Sequence, residues 1–124
     1  MQMDDIIQQV KKLAAEDESI VILWLYGSRA KNQSTNSSDY DFAVAFKSQP
    51  RESSLEKRLQ PEILSMIWAQ ALHLKDNQLS VVDINQAPTP LALEIIRPNC
   101  VLICKDAIRL AREENRITGQ SELD

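Results

Sequence analysis

The chain has 124 residues, 44% of them apolar and 26% charged, with a net charge of −4 and a pI near 5.0. That length fits one compact domain, and the acidic balance argues against a general nucleic-acid binder, which needs a basic face to neutralise phosphates. The longest uninterrupted apolar run is seven residues, far short of the ~20 that span a bilayer. The start Met1-Gln2-Met3-Asp4-Asp5 lacks the basic head and apolar core of a signal peptide. A cytoplasmic protein with no direct nucleic-acid or membrane partner is therefore expected.

Residues 4–17 read as an amphipathic helix capped by Asp4, with Ile6, Ile7, Val10, Leu13 and Ala14 on one face. The run Ile20-Val21-Ile22-Leu23-Trp24-Leu25-Tyr26 reads as a buried strand, and Ser28 to Gln33 as a short helix. A polar loop over 32–38, expected to be mobile without ligand, leads to a second strand over 39–46. After a charged connection containing Pro50 comes a long helix, starting near Ser54 or restarting at Pro61. Its residues Ile63, Leu64, Ile67, Trp68, Ala71, Leu72 and Leu74 make a wide stripe for packing on a sheet, with His73 inside the same helix.

Leu79 to Ile84 reads as a third strand and Leu91 to Ile96 as a short helix halted before Pro98. Val101 to Cys104 is a fourth strand, and Asp106 to Ile117 a charged helix. The reading is one domain over 1–118 and a flexible tail over 119–124. Cys100 and Cys104 are the only cysteines and His73 the only histidine, too few for a zinc site. Both thiols read as buried and free.

One of the two glycines, Gly27, follows the first strand in a Gly27-Ser28 pair, and a ten-residue spacer separates that pair from Asp39-Tyr40-Asp41. A chain so poor in glycine spends one where a strand must turn sharply and let backbone N–H groups approach a ligand. Strand side chains repeat every two residues, so Asp39 and Asp41 share a face. Asp83 interrupts the third strand in the same way, and three carboxylates converging from adjacent strands would need cations. Two Mg²⁺ ions, held by Asp39, Asp41 and Asp83, could then grip the attacking and leaving oxygens of an in-line displacement at phosphorus. In that reading Asp83 also helps remove the acceptor proton, Gly27 and Ser28 cradle the triphosphate, and Arg29 adds a charge-assisted contact to it.

Leu25-Tyr26-Gly27-Ser28-Arg29-Ala30, followed by Ser38-Asp39-Tyr40-Asp41-Phe42-Ala43-Val44 and a later strand aspartate, resembles the nucleotidyltransferase superfamily that includes DNA polymerase beta. Within it the chain is similar to the small MNT group, the minimal nucleotidyltransferases. The resemblance implies an α/β (α+β) fold, a small mixed sheet flanked by helices with the site at one open edge. It also implies an antitoxin that forms a hetero-oligomer with a HEPN-type ribonuclease toxin. Such an antitoxin transfers AMP from ATP to a tyrosine hydroxyl of that toxin, with Asp39, Asp41 and Asp83 as catalytic and metal-binding residues. Residue spacing reaches nucleotidyl transfer and no further. Two alternatives stand beside it: an antitoxin that only masks its toxin, and a transferase acting on a small molecule of the aminoglycoside type.

Overall fold

The computed structural model describes residues 3–31, 39–48 and 53–123. The expected polar loop over 32–38, Pro50 and the capping side chain of Asp4 lie outside the described residues. In chain order the elements are α1 (Met3–Glu16), β1 (Ile20–Tyr26), β2 (Tyr40–Phe46), α2 (Ser54–Ala71), β3 (Leu79–Asp83), α3 (Thr89–Ile96), β4 (Val101–Cys104) and α4 (Ala107–Leu123). The strands form one mixed sheet in the order β3-β2-β1-β4. β1 is antiparallel to both β2 and β4, and β2 is parallel to β3. This is the expected α/β (α+β) class.

The two central strands are the two continuous apolar runs, because both of their faces are covered by helices. On one face, Ile6, Val10 and Ala14 of α1 and Leu64, Trp68 and Leu72 around α2 pack on Leu23, Leu25, Phe42, Val44 and Val81. On the other, Ala92 and Ile95 of α3 and Ile117 of α4 cover Ile22, Trp24, Ala43 and Ala45. A bulge between Ile20 and Ile22 lets Ile20 and Leu23 serve the first face. Edge strand β3 instead alternates buried and half-buried positions. The strand directions bring Tyr26, Tyr40 and Leu79 to one end of the sheet, and Ile20, Phe46, Asp83 and Cys104 to the other.

Helix α2 runs unbroken through Pro61, resolving the two starts the sequence left open in favour of Ser54. A capping box begins it: Glu56 N donates to Ser53 Oγ (3.1 Å) and Ser53 N to Glu56 Oε2 (3.3 Å). Pro61 has no N–H for the Lys57 carbonyl one turn earlier, and the Gln86 side-chain amide donates to that carbonyl instead. The helix ends in a Schellman motif, with His73 N on Gln70 O (3.3 Å) and Leu74 N on Ala69 O (2.8 Å). His73 takes the left-handed position at φ 56°, so it closes the helix rather than lying within it.

Four further expectations are corrected. Residues 28–31 form a turn, not a helix, with Lys31 N on Ser28 O. Ile63 and Ile67 of α2 face outward, at 52% and 54% exposure, so the broad stripe is two stripes. The thiols are free, but Cys100 is half-buried and Cys104 exposed, because β4 is an edge strand. Asp106 caps α4 through its Oδ1, and the helix continues to Leu123, past Gly119.

No helix among the described residues is long and apolar enough to cross a membrane. A Cβ placed on Gly119 meets nothing within 4 Å, and its backbone is helical without positive φ. Gly119→Ala should therefore raise the unfolding free energy by about 0.5–1 kcal/mol in urea titration. An unchanged midpoint would mean that this last turn is not helical in solution.

Candidate active site

The end of β1 is set by Gly27, which adopts φ +75°. A Cβ there would lie 2.6 Å from Oδ2 of Asp41, so glycine is required by backbone and by space. The same contact shows that the Asp41 carboxylate rests directly against the turn. Asp39, immediately before β2, is exposed beside it, and Asp41 is half-buried. Burial, then the Asp39 charge, pushes the Asp41 carboxyl above the usual carboxylate range, with the Arg29 guanidinium opposing.

Arg29 is buried, 7% exposed, despite its charge. Its guanidinium carbon sits 3.7 Å from the centroid of the Tyr40 ring, and Nε donates to the Asp39 carbonyl (3.2 Å). Tyr40 stacks on Phe42 (6.4 Å, 5°), and Phe42 meets the edge of Trp68 (6.0 Å, 89°). Arg29 thus ties the turn and the carboxylate strand to the core, a positioning task the sequence did not suggest.

Two more residues complete the site. Tyr26 pairs with Asp41 across β1–β2, and Ser80 pairs with Asp41 across β2–β3, so the three lie side by side. The Tyr26 phenol is hydrogen-bonded with the Ser80 hydroxyl. Burial, then Asp41, and then Glu94 of α3 push its pKa up to about 12 against that hydrogen bond. Sequence reading missed both. Tyr26 adjoins Gly27 and was legible by position, whereas Ser80 becomes informative only once the register is known.

Asp83 is not brought to this place. It pairs with Val44, three positions along β3 from Ser80 and therefore on the opposite face, near the far end of the sheet. Its Oδ1 accepts from Asn85 N (2.9 Å) and its Oδ2 from Gln86 Nε2 (3.1 Å), closing the turn after β3. Burial raises its pKa against those hydrogen bonds and Arg109. The expected third carboxylate is thus a turn-forming residue, and among the described residues no group of three His, Cys, Asp or Glu assembles as a metal site.

Folded Asp41 holds its proton more tightly than the unfolded chain does. Its ionisation therefore costs stability, increasingly as pH rises from the ordinary carboxylate value through the raised one. Asp41→Asn should melt a few degrees higher than the native chain at neutral pH, with the gap closing toward pH ~3 where both are uncharged. Gly27→Ala should cost about 1–2 kcal/mol through its left-handed backbone and displace the Asp41 carboxylate. Thermal melts across pH check both.

The chain matches the family described as Polymerase beta, Nucleotidyltransferase over residues 8–108. No curated protein matches it. Among solved structures it is similar to a toxin–antitoxin crystallised with AMP-PNP, at 15% identity over 98% of this chain and 88% of that one (TM-score 0.67). It is also similar to a tri-AMPylated Shewanella oneidensis HEPN toxin in complex with MNT antitoxin (17% identity, 98% and 87% covered, TM-score 0.62). The MntA–HepT toxin–antitoxin is a further likeness (16% identity, 98% and 87% covered, TM-score 0.66). These likenesses concern the fold. The family match runs from α1 through both strands flanking the Gly27 turn to the start of α4, and the chain belongs to the Polymerase beta nucleotidyltransferase family.

Proposed function

We propose that the chain is a nucleotidyltransferase antitoxin that moves AMP from ATP onto a tyrosine hydroxyl of a HEPN-type toxin. The observation that carries this reading is the Asp41 carboxylate held against the Gly27 turn with the Asp39 charge acting on it. It is supported by the family and by fold relatives that are toxin–antitoxin complexes, one with AMP-PNP and one with an AMPylated toxin.

The donor set fits a divalent cation. Burial and then the Asp39 charge raise Asp41, a conflict a cation relieves, and Mg²⁺ commonly takes one or two carboxylates and fills its remaining sites with phosphates and water. Asp39 and Asp41 would hold one Mg²⁺. A second ion would need Asp83, which lies on the opposite face near the other end of the sheet. The single ion, when bound, neutralises triphosphate charge. Backbone N–H groups at Gly27 and Ser28 approach the departing phosphates. The acceptor oxygen bonds to the α-phosphorus as its bond to the pyrophosphate oxygen breaks. Pyrophosphate leaves, and the acceptor proton passes to water at the open end of the sheet. Arg29 and Tyr26 act by holding the turn and Asp41 in place.

A second reading, masking without transfer, is favoured by one observation: Ser80 occupies the position facing Asp41 where a third carboxylate would have to stand. Incubation with labelled ATP, Mg²⁺ and the toxin separates the two. Transfer predicts label on the toxin, loss of at least ~100-fold of it in Asp39→Ala with Asp41→Ala, and loss of neutralisation. Full neutralisation by that double mutant would leave masking as the function. Mg²⁺ added together with a non-hydrolysable ATP analogue should raise the melting point of the native chain and not of Asp41→Asn.

A further inference from the structure

Helix α2 carries a second apolar face that its own sheet does not use. Leu55, Leu59, Ile63, Met66 and Ile67 are 63%, 41%, 52%, 56% and 54% exposed. At 100° per residue they fall within one third of the helix circumference, opposite the buried Leu64 and Trp68. The 4-4-3 spacing from Leu55 to Met66 is a seam for another helix, and from Leu55 to Ile67 it is about 18 Å long. Such a row on a chain that needs solubility marks an interface.

We infer that this face pairs with the same face of a second copy, the two α2 helices crossing antiparallel about a two-fold axis. Charge favours that occupant. The chain as a whole carries −4, but one border of the stripe is formed by Arg58 and Glu62, one of each sign and both exposed. In an antiparallel pair like borders meet, so Arg58 of one copy faces Glu62 of the other, twice by symmetry. Area agrees as well. The five side chains present about 500 Å² per copy, so pairing would remove about 1,000 Å² before the rim is counted, the threshold of a specific interface. The capped C-terminal end of α2 leads to Leu79 at the Gly27 end of the sheet. An antiparallel pair therefore leaves the two candidate sites at opposite ends, both open to an acceptor.

The pairing is independent of nucleotidyl transfer, and sedimentation equilibrium of the isolated chain from low to several hundred micromolar tests it. The expected result is a concentration-dependent rise to twice the 14.1 kDa chain mass. Ile63→Glu should remain monomeric with an unchanged circular dichroism spectrum, since Ile63 is half exposed. Arg58→Glu should weaken association about tenfold, and Arg58→Glu combined with Glu62→Arg should restore it. A chain monomeric throughout, or a dimer that Ile63→Glu leaves intact, would overturn the inference. So would a monomer whose Ile63→Glu form loses only toxin binding, since the stripe would then belong to the heterocomplex.

Discussion

The contact between Gly27 and the Asp41 carboxylate governs the open end of this sheet. A strand that ends in a left-handed residue turns away at once, and the missing Cβ leaves room for an acidic side chain that would otherwise be displaced. Asp41 is thereby held where burial and Asp39 both oppose its charge. The stack Arg29–Tyr40–Phe42–Trp68 keeps this arrangement in place by running from the turn into the first core. Removing Trp68 would cost about 3–5 kcal/mol as a cavity, and the loss would reach the carboxylates through that column. Stability and site geometry share the same residues here.

The far end of the sheet explains an aspartate that looked catalytic. Pro61 leaves the Lys57 carbonyl of α2 without its helical donor, and Gln86 supplies one while also donating to Asp83. Asp83 further accepts from the Asn85 amide, and its carbonyl accepts from the amides of Gln86 and Ala87. Asn85 then donates to both carboxylate oxygens of buried Glu113, which Arg109 and Arg116 flank. These hydrogen bonds offset part of the desolvation of Asp83 and fix the turn, joining α2, β3 and α4. That network gives Asp83 a structural reason to interrupt an apolar strand.

What the sequence made legible, and what it concealed, follows from the range of each signal. The two apolar runs, the Gly27 turn and the Asp39–Asp41 spacing are local patterns, and each appears where it was read. Asp83 failed because its face depends on register. With Asp41 opposite Ser80, only even offsets from Ser80 share the Asp41 face, and Asp83 is an odd offset away. Cys104 failed because apolar neighbours do not reveal that a strand lies at an edge. On α2, Ile63 and Ile67 join Leu64 and Trp68 in one apolar list, and only the packed sheet shows which pair it covers. Gly119 is a weak helix stop when its φ need not be positive, so the helix passes through it.

The position of Ser80 bears most directly on chemistry. A hydroxyl there cannot offset or share a cation as a carboxylate would, yet it is bonded to Tyr26, whose phenol stays protonated far above neutral pH. Tyr26 and Ser80 therefore flank Asp41 with neutral groups, and the negative charge around them comes from Asp39, Asp41 and Glu94 of α3. Under the proposed transfer, a site of that charge would suit one cation arriving with its triphosphate better than two resident ions. In that transfer the acceptor hydroxyl would be oriented by the partner that carries it, since proximity and alignment at the phosphorus supply much of the rate.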